Sequence, residues 1–353
     1  MLRLLEQNGF TLVVPDDEMA VGLQDLMDRG RSSNREFLSQ PTGALTPGRI
    51  TGSFIYAHPP DYIGRPTMEW GVPEWRGLMR ELKVLGIDTV IHQAAAWVEM
   101  RECYYPSRRF AAYRTWDSLS KLVEASAAES MTLFLGGLGN MLAFDEAATA
   151  ERLDADADAQ LACFNELLAY RGGFQGFYMS PETGYPGARQ PEREKLLNGY
   201  YSRVCRGVKE LMPELPILMS PGTYFYQSHE RDTHDFLVQM LAGCPVDILA
   251  PQDSIGTFGN TLANCRPAFQ VGRDVCRTLG ITLWVNAESF ERARIDTVSD
   301  FVPAPIERLT AQLSLAAEFG EKIVSWEVPH FYSASAGPAG LALRDDYLRL
   351  MAS

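Results

Sequence analysis

The chain has 353 residues, of which 46% are hydrophobic and 22% are charged, a composition typical of a soluble globular protein with a full-sized core. The net charge is −13, and the Lys and Arg residues are scattered along the sequence. Because an acidic surface repels phosphate backbones and anionic lipids, we expect neither a nucleic acid partner nor a membrane partner.

Cysteine usage and the first residues indicate the compartment. The six cysteines show no CxxC spacing, so we expect buried free thiols in a reducing environment rather than a disulfide framework. The start, MLRLLEQNGF, lacks the basic and long apolar segments of a signal peptide, and no run reaches the ~18 apolar residues of a membrane span. We therefore expect a cytoplasmic protein.

Residues 1–48 differ from the rest of the chain. They contain an amphipathic stretch, MAVGLQDLMDRGR, followed by a linker rich in Ser, Thr, Pro and Gly. We interpret them as an N-terminal extension that packs on the following domain or offers a surface for homo-oligomer formation. Residues 49–353 form the predicted catalytic domain.

From residue 49 onward, short apolar runs alternate with amphipathic helical patterns, which indicates parallel strands with crossover helices. The eight candidate strands are residues 50–58, 88–95, 131–138, 173–180, 216–223, 246–253, 281–288 and 322–329. Eight such units predict an α/β fold, a (β/α)8 TIM barrel with an N-terminal extension. A doubly wound open sheet usually has fewer strands and a glycine-rich phosphate loop, and this sequence contains no such loop.

Two glutamates end predicted strands, Glu182 after the fourth and Glu288 after the seventh. Functional groups of this fold lie at the carboxyl ends of the strands, so we expect both carboxylates in one pocket. Paired carboxylates are what glycosidic bond cleavage requires. The aromatic setting of Glu182, near Tyr178, favours a raised pKa and a proton donor, and Asn286 is expected to help keep Glu288 ionised as the nucleophile of a retaining reaction.

Other strand ends carry the aromatic and polar groups that recognise sugars. Aromatic rings cover C–H surfaces, whereas amides, carboxylates and imidazoles bond to hydroxyls. The expected substrate-binding residues are Tyr56, His58, Gln93, Trp97, Tyr178, Tyr224, Gln252, Asp253, Asn286, Trp326, Glu327 and His330. Trp326 is expected to form the floor beneath the cleaved sugar, unless it points outward into the strand–helix layer as part of the core.

Two alternative functions remain open. One is a metal-dependent isomerase or hydrolase that uses His58, His92, Asp253 and Glu327. The other is a sugar-binding barrel without activity. No HxH or HExxH pair is present, so isolated histidines are interpreted as hydrogen-bond donors, and we expect neither a metal nor another cofactor.

Several segments together resemble a known family. They are GSFIYAH, W-x2-LMRELKVLGIDTVIHQ, FQGFYMSPE, PILMSP and LWVNAESF. The chain is similar over about residues 50–333 to the glycosidase-like barrels filed as domain of unknown function 4434. The resemblance implies a TIM barrel related to glycoside hydrolases, with the family's acidic positions at Glu182 and Glu288. The layout also resembles the clan of retaining glycosidases, although that clan typically has Asn where this chain has Pro181.

Overall fold

The structure is a computed structural model that describes residues 17–40, 45–57, 67–222, 230–257, 260–293, 301–334 and 336–352. In chain order the elements are α1 (Asp17–Ser39), β1 (Ile50–Ile55), α2 (Val72–Val84), β2 (Thr89–His92), β3 (Ala96–Trp97), β4 (Glu102–Cys103), β5 (Arg114–Thr115), α3 (Ser118–Ala128), β6 (Thr132–Gly136), β7 (Leu138–Gly139), α4 (Ala150–Leu167), β8 (Gly176–Tyr178), α5 (Pro191–Leu211), β9 (Ile217–Met219), α6 (Glu230–Leu241), β10 (Ile248–Leu249), α7 (Leu262–Leu279), β11 (Thr282–Glu288), β12 (Phe290–Arg292), β13 (Phe301–Pro303), α8 (Ile306–Ala316), β14 (Lys322–Trp326), α9 (Val328–Phe331) and α10 (Gly337–Ala352).

Eight parallel strands close into a barrel in the order β1, β14, β11, β10, β9, β8, β6 and β2. Each barrel strand lies within one of the eight predicted runs, and the (β/α)8 prediction is confirmed. The barrel closes where β1 pairs with both β2 and β14. Within the described residues, two small sheets lie outside the barrel, one formed by β5, β4, β3 and β7 and the other by β12 and β13.

Apolar side chains form two layers, because successive residues of each strand point alternately into the barrel interior and toward the helices. The interior cluster consists of Phe54, Ile91, Phe134, Tyr178, Leu218, Ile248, Ala250 and Val324. Trp326 shares the parity of Val324 and packs against this cluster. The larger layer between strands and helices holds most of the remaining core.

The N-terminal extension contributes α1, which packs on α7 and α8. All six cysteines are free thiols. Within the described ranges, no helix combines the length and the apolar character needed to cross a membrane.

Candidate active site

Glu182 follows β8 at the mouth of the barrel, and its carboxylate accepts three side-chain hydrogen bonds. The Tyr178 hydroxyl donates to Oε1 at 2.6 Å, and Gln93 Nε2 donates to the same oxygen at 2.9 Å. Gln252 Nε2 donates to Oε2 at 2.9 Å. Tyr178 and Gln93 are buried, whereas Glu182 is partly exposed. Side chains from three strand ends therefore hold the carboxyl group of a partly exposed residue.

The environment of Glu182 favours its protonated form. Burial raises the pKa of the carboxyl group, and the hydrogen bonds from Tyr178, Gln93 and Gln252 oppose that rise only in part. A raised pKa is the direction that a proton donor requires near neutral pH.

Polar contacts continue from Glu182 across the barrel mouth. Gln252 Nε2 also donates to the carbonyl oxygen of Ser220 at 2.9 Å, and Asn286 Nδ2 donates to the Ser220 hydroxyl at 3.0 Å. Asn286 Oδ1 accepts from the main-chain N–H of Trp326 at 3.1 Å. The network joins the ends of five neighbouring strands, β8 to β11 and β14. It also occupies the amide of Asn286, so the donors that hold Glu288 come from elsewhere.

An aromatic wall borders this network. The Trp326 indole N–H donates to the Tyr56 hydroxyl, and the two rings pack edge to face with centroids 5.8 Å apart. Phe290 and Phe331 pack against other parts of the indole, with centroids 5.0 and 6.0 Å away. Trp326 is partly exposed and lies on the inner face of β14, which is the orientation that stacking on a sugar requires.

A second carboxyl group lies behind the wall. Glu327 is fully buried, its Oε1 contacts Nδ1 of His330, and its Oε2 has no hydrogen-bond partner among the described residues. Burial raises the pKa of the Tyr56 hydroxyl well above its usual value, and the charges of Glu182 and Glu327 raise it further. The carboxyl groups of Glu182 and Glu327 therefore both raise the pKa of the Tyr56 hydroxyl.

Glu288 is held differently, by a single turn that follows β10. The main-chain N–H groups of Gly256 and Thr257 donate to Oε2 at 2.7 and 2.9 Å, and the Thr257 hydroxyl donates to Oε1. The residue is only 3% exposed. Burial raises the pKa of Glu288 to about 7, the nearby charge of Asp253 adds to the rise, and the bonds from Thr257 and Gly256 oppose it.

Asp253 lies between the strand ends and α8. Its Oδ1 accepts from the main-chain N–H of Glu288 at 3.3 Å, and its Oδ2 accepts from the Gln312 side chain. Burial raises the pKa of Asp253 to about 6. These bonds are internal, so Asp253 supports the Glu288 segment and does not join the Glu182 network.

Other candidate residues lie outside these networks or outside the described residues. Trp97 is partly exposed, and its ring covers Gly139 so closely that a Cβ atom there would lie 2.6 Å from the indole. His92 is buried, and burial lowers its pKa to about 3, so the ring is neutral. His58 and Tyr224 lie outside the described residues.

Three of the four residues proposed for the alternative metal site lie in the described part of the chain. Asp253 bonds to Gln312, Glu327 contacts His330, and His92 lies against the Tyr104 ring, so the three occupy separate surroundings. Within the part of the chain that the structure describes, no group of three or more His, Cys, Asp and Glu side chains is placed to hold a metal ion.

The groups that hold Glu288 were not among the predicted site residues. Gly256 and Thr257 donate mainly through the main chain, and a main-chain donor leaves no residue-type signal. A Gly within a turn after a strand was the available clue, because a Cβ atom at Gly256 would lie 2.3 Å from the Phe290 carbonyl oxygen. Ser220, which precedes Pro221, was not among the predicted site residues, yet it links Gln252 to Asn286.

Comparison with known proteins supports this architecture. A family model described as "Domain of unknown function (DUF4434)" matches residues 50–338, and no curated protein matches the chain. Among solved structures, a candidate alpha-L-fucosidase from Bacteroides thetaiotaomicron has a TM-score of 0.70 at 20% identity, over 89% of this chain and 99% of the other. A GH113 beta-1,4-mannanase has a TM-score of 0.52 at 12% identity, over 85% and 99% of the two chains. At these identities the likeness shows the fold, which is a glycosidase-like TIM barrel.

Proposed function

This chain belongs to the DUF4434 family, and we propose that it is a glycosidase that hydrolyses or transfers a glycosidic bond in a carbohydrate substrate. The observation that carries the proposal is Glu182, a partly exposed residue at the barrel mouth whose carboxyl group accepts hydrogen bonds from Tyr178, Gln93 and Gln252. Trp326, partly exposed on the inner face of β14, offers apolar surface of the kind that a sugar ring needs. Folds of this kind host many chemistries, so the site and not the barrel supports the activity.

The proposed reaction is a retaining double displacement. Protonated Glu182 donates its proton to the leaving oxygen while the Glu288 carboxylate attacks the anomeric carbon, which forms a glycosyl ester and releases the aglycone. Glu182, now ionised, then takes a proton from water as that water attacks the same carbon and frees Glu288. A sugar hydroxyl in place of water gives transfer.

The hydrogen bonds at Glu288 suit this role. Thr257 and Gly256 donate to the carboxylate oxygens and oppose the effect of burial on its pKa. They also fix the orientation of the carboxylate, which lowers the entropic cost of attack. Asp253 acts in the opposite sense, because its negative charge favours protonation of Glu288.

The test begins with a screen of aryl glycosides and polysaccharides. We expect Glu182→Gln and Glu288→Gln each to lower kcat about 10²–10⁴-fold on an unactivated substrate. Glu210→Gln, an exposed glutamate on α5, is the matched control and keeps wild-type activity. Binding of glycans without turnover by any form of the protein would instead favour the sugar-binding alternative, and loss of activity with a chelator would favour the metal-dependent one.

Substrates with different leaving groups distinguish the proton-donor role of Glu182 from the nucleophile role of Glu288. A dinitrophenolate departs without a proton, so Glu182→Gln should keep much of its kcat/KM on dinitrophenyl glycosides, which reports the first displacement. Its kcat should still fall, because Glu182 is also the base of the second displacement. Glu288→Gln should lose both kcat and kcat/KM. Proton NMR of the first-formed product should show retention of the anomeric configuration. An inverted product would contradict the double displacement.

A further inference from the structure

The turn that holds Glu288, residues 253–257, is covered by α1 of the N-terminal extension. A small cavity of about 20 Å³ between them is lined on one side by α1 and on the other by the turn and β12. The residues of α1 that line it are Met27, Gly30, Arg31 and Asn34. This helix precedes residues 50–338, the part of the chain that the family model matches.

Asn34 ties α1 to the chain that follows the turn. It is buried, and its Oδ1 accepts a 2.8 Å hydrogen bond from the main-chain N–H of Leu262, the first residue of α7. The first N–H groups of a helix need an acceptor from outside the helix. Thr261 stands at the cap position without a capping bond from its own side chain, so Asn34 supplies that acceptor.

Arg31 ties the same helix to the opposite side of the turn. Its guanidinium donates to the carbonyl oxygens of Arg292 at 2.6 Å and Ala293 at 3.2 Å, at the end of β12. The main-chain N–H of Arg292 in turn donates to the Gly256 carbonyl oxygen at 3.0 Å. One helix therefore anchors both segments that flank the N–H groups of Gly256 and Thr257.

We propose that α1 is a positioning element for the Glu288 carboxylate and that it acts through Asn34 and Arg31. With both segments fixed, the N–H groups of Gly256 and Thr257 stay directed at Glu288 Oε2. The inference that this matters for catalysis rests on the role proposed above for Glu288. Asn34 and Arg31 bond to main-chain atoms, so they are positioning residues and not catalytic ones.

The first test follows the turn itself and needs no substrate. Amide hydrogen exchange of peptides that cover residues 253–257 is compared among the wild type, Asn34→Ala and Arg31→Ala. We expect exchange in this turn to accelerate about tenfold in each variant, on the scale of a lost helix cap. Arg29→Ala removes the same charge from an exposed position on α1 and should leave exchange unchanged.

Asn34→Asp is the conservative variant, because it keeps the Oδ1 acceptor for Leu262. It should restore slow exchange of the turn. Unchanged exchange in both alanine variants would overturn the inference. A uniform rise across the chain, with a lower melting temperature and no excess at residues 253–257, would overturn it as well, because α1 would then be a general stabiliser.

The second test separates this inference from the proposed function. On an aryl glycoside that the wild type hydrolyses, Asn34→Ala and Arg31→Ala should lower kcat about tenfold, with KM changed less than twofold, and Asn34→Asp should recover kcat. Wild-type kcat in both alanine variants, despite faster exchange of the turn, would overturn the catalytic part of the inference. Full activity in Glu288→Gln would instead remove the proposed nucleophile, while the exchange data would still show whether α1 fixes the turn.

Discussion

The two glutamates at the barrel mouth are held by different means. Glu182 is partly exposed and receives hydrogen bonds from the side chains of Tyr178, Gln93 and Gln252. Glu288 is buried and receives two of its three bonds from main-chain N–H groups of one turn. Side-chain donors can be removed one at a time, whereas main-chain donors depend on the path of the chain. Substitutions around Glu182 should therefore change the activity and its pH dependence by small steps. Substitutions in the turn should misalign the Glu288 carboxylate and lower kcat strongly.

Among substitutions that leave both glutamates in place, the largest effect is expected from Gly256→Ala. A Cβ atom at this position would lie 2.3 Å from the Phe290 carbonyl oxygen, so the turn must move away from β12. Glu288 would lose the aligned donors, and a displacement of about 1 Å in a reacting group costs about 10²-fold in rate. We expect kcat to fall by about that factor, measured on an aryl glycoside, together with a lower melting temperature.

Gly77→Ala is the matched control. Gly77 lies on α2, where an added Cβ atom would meet nothing within 4 Å. Alanine is favoured over glycine inside a helix by about 0.5–1 kcal/mol. The control should therefore keep its activity and gain slightly in stability. Equal behaviour of the two variants would show that the turn does not hold Glu288 in a required position.

The difference between side-chain donors at Glu182 and main-chain donors at Glu288 also explains what could be predicted from the sequence. All eight barrel strands were predicted, because apolar runs alternate with amphipathic helices. Tyr178, expected near Glu182, donates a hydrogen bond to its carboxylate. The surroundings of Glu288 were not predicted. They depend on main-chain donors of a turn and on a cap contributed by Asn34, which lies 228 residues from Leu262 in the sequence. Local patterns carry no information about contacts of that separation.

Burial of Glu288 should appear in the pH dependence of stability. Its pKa is raised from about 4.5 to about 7, so between these values the native state retains a proton that the unfolded chain releases. The resulting stabilisation is fully present below pH 4.5 and is lost as the pH rises through 7. At ~1.4 kcal/mol per pKa unit, the unfolding free energy of the wild type should fall relative to that of Glu288→Gln by roughly 1–4 kcal/mol as the pH rises over this range.

Urea denaturation at intervals from pH 4.5 to 8 measures this difference. Glu210→Gln, which removes an exposed carboxyl group, should give a difference that does not vary with pH. Parallel stability curves for the wild type and Glu288→Gln would mean that the Glu288 carboxyl group titrates alike in the native and unfolded states.

At Glu182, Tyr178→Phe should shift the pH profile rather than abolish activity. The Tyr178 hydroxyl bond lowers the pKa of Glu182, so its loss should raise that pKa further. A hydrogen bond to a charged group contributes about 1.5–3 kcal/mol, so we expect the alkaline limb of kcat/KM to move up by about one pH unit. Tyr200→Phe, which removes a similar bond to Asp156 in the helix layer, should leave the profile in place.

The smallest effect is expected at the aromatic wall, where Trp326→Phe keeps a ring but removes the indole N–H that donates to Tyr56. Loss of one such bond costs about 0.5–1.5 kcal/mol of stability. If Trp326 is also the floor for the sugar, KM should rise a few-fold while kcat changes little, because a smaller ring covers less of the sugar's C–H face. Trp75→Phe makes the same change at a fully buried indole that packs on Trp70, so it should lower stability without a rise in KM. Equal KM values in the two variants would identify Trp326 as part of the packing and not of recognition.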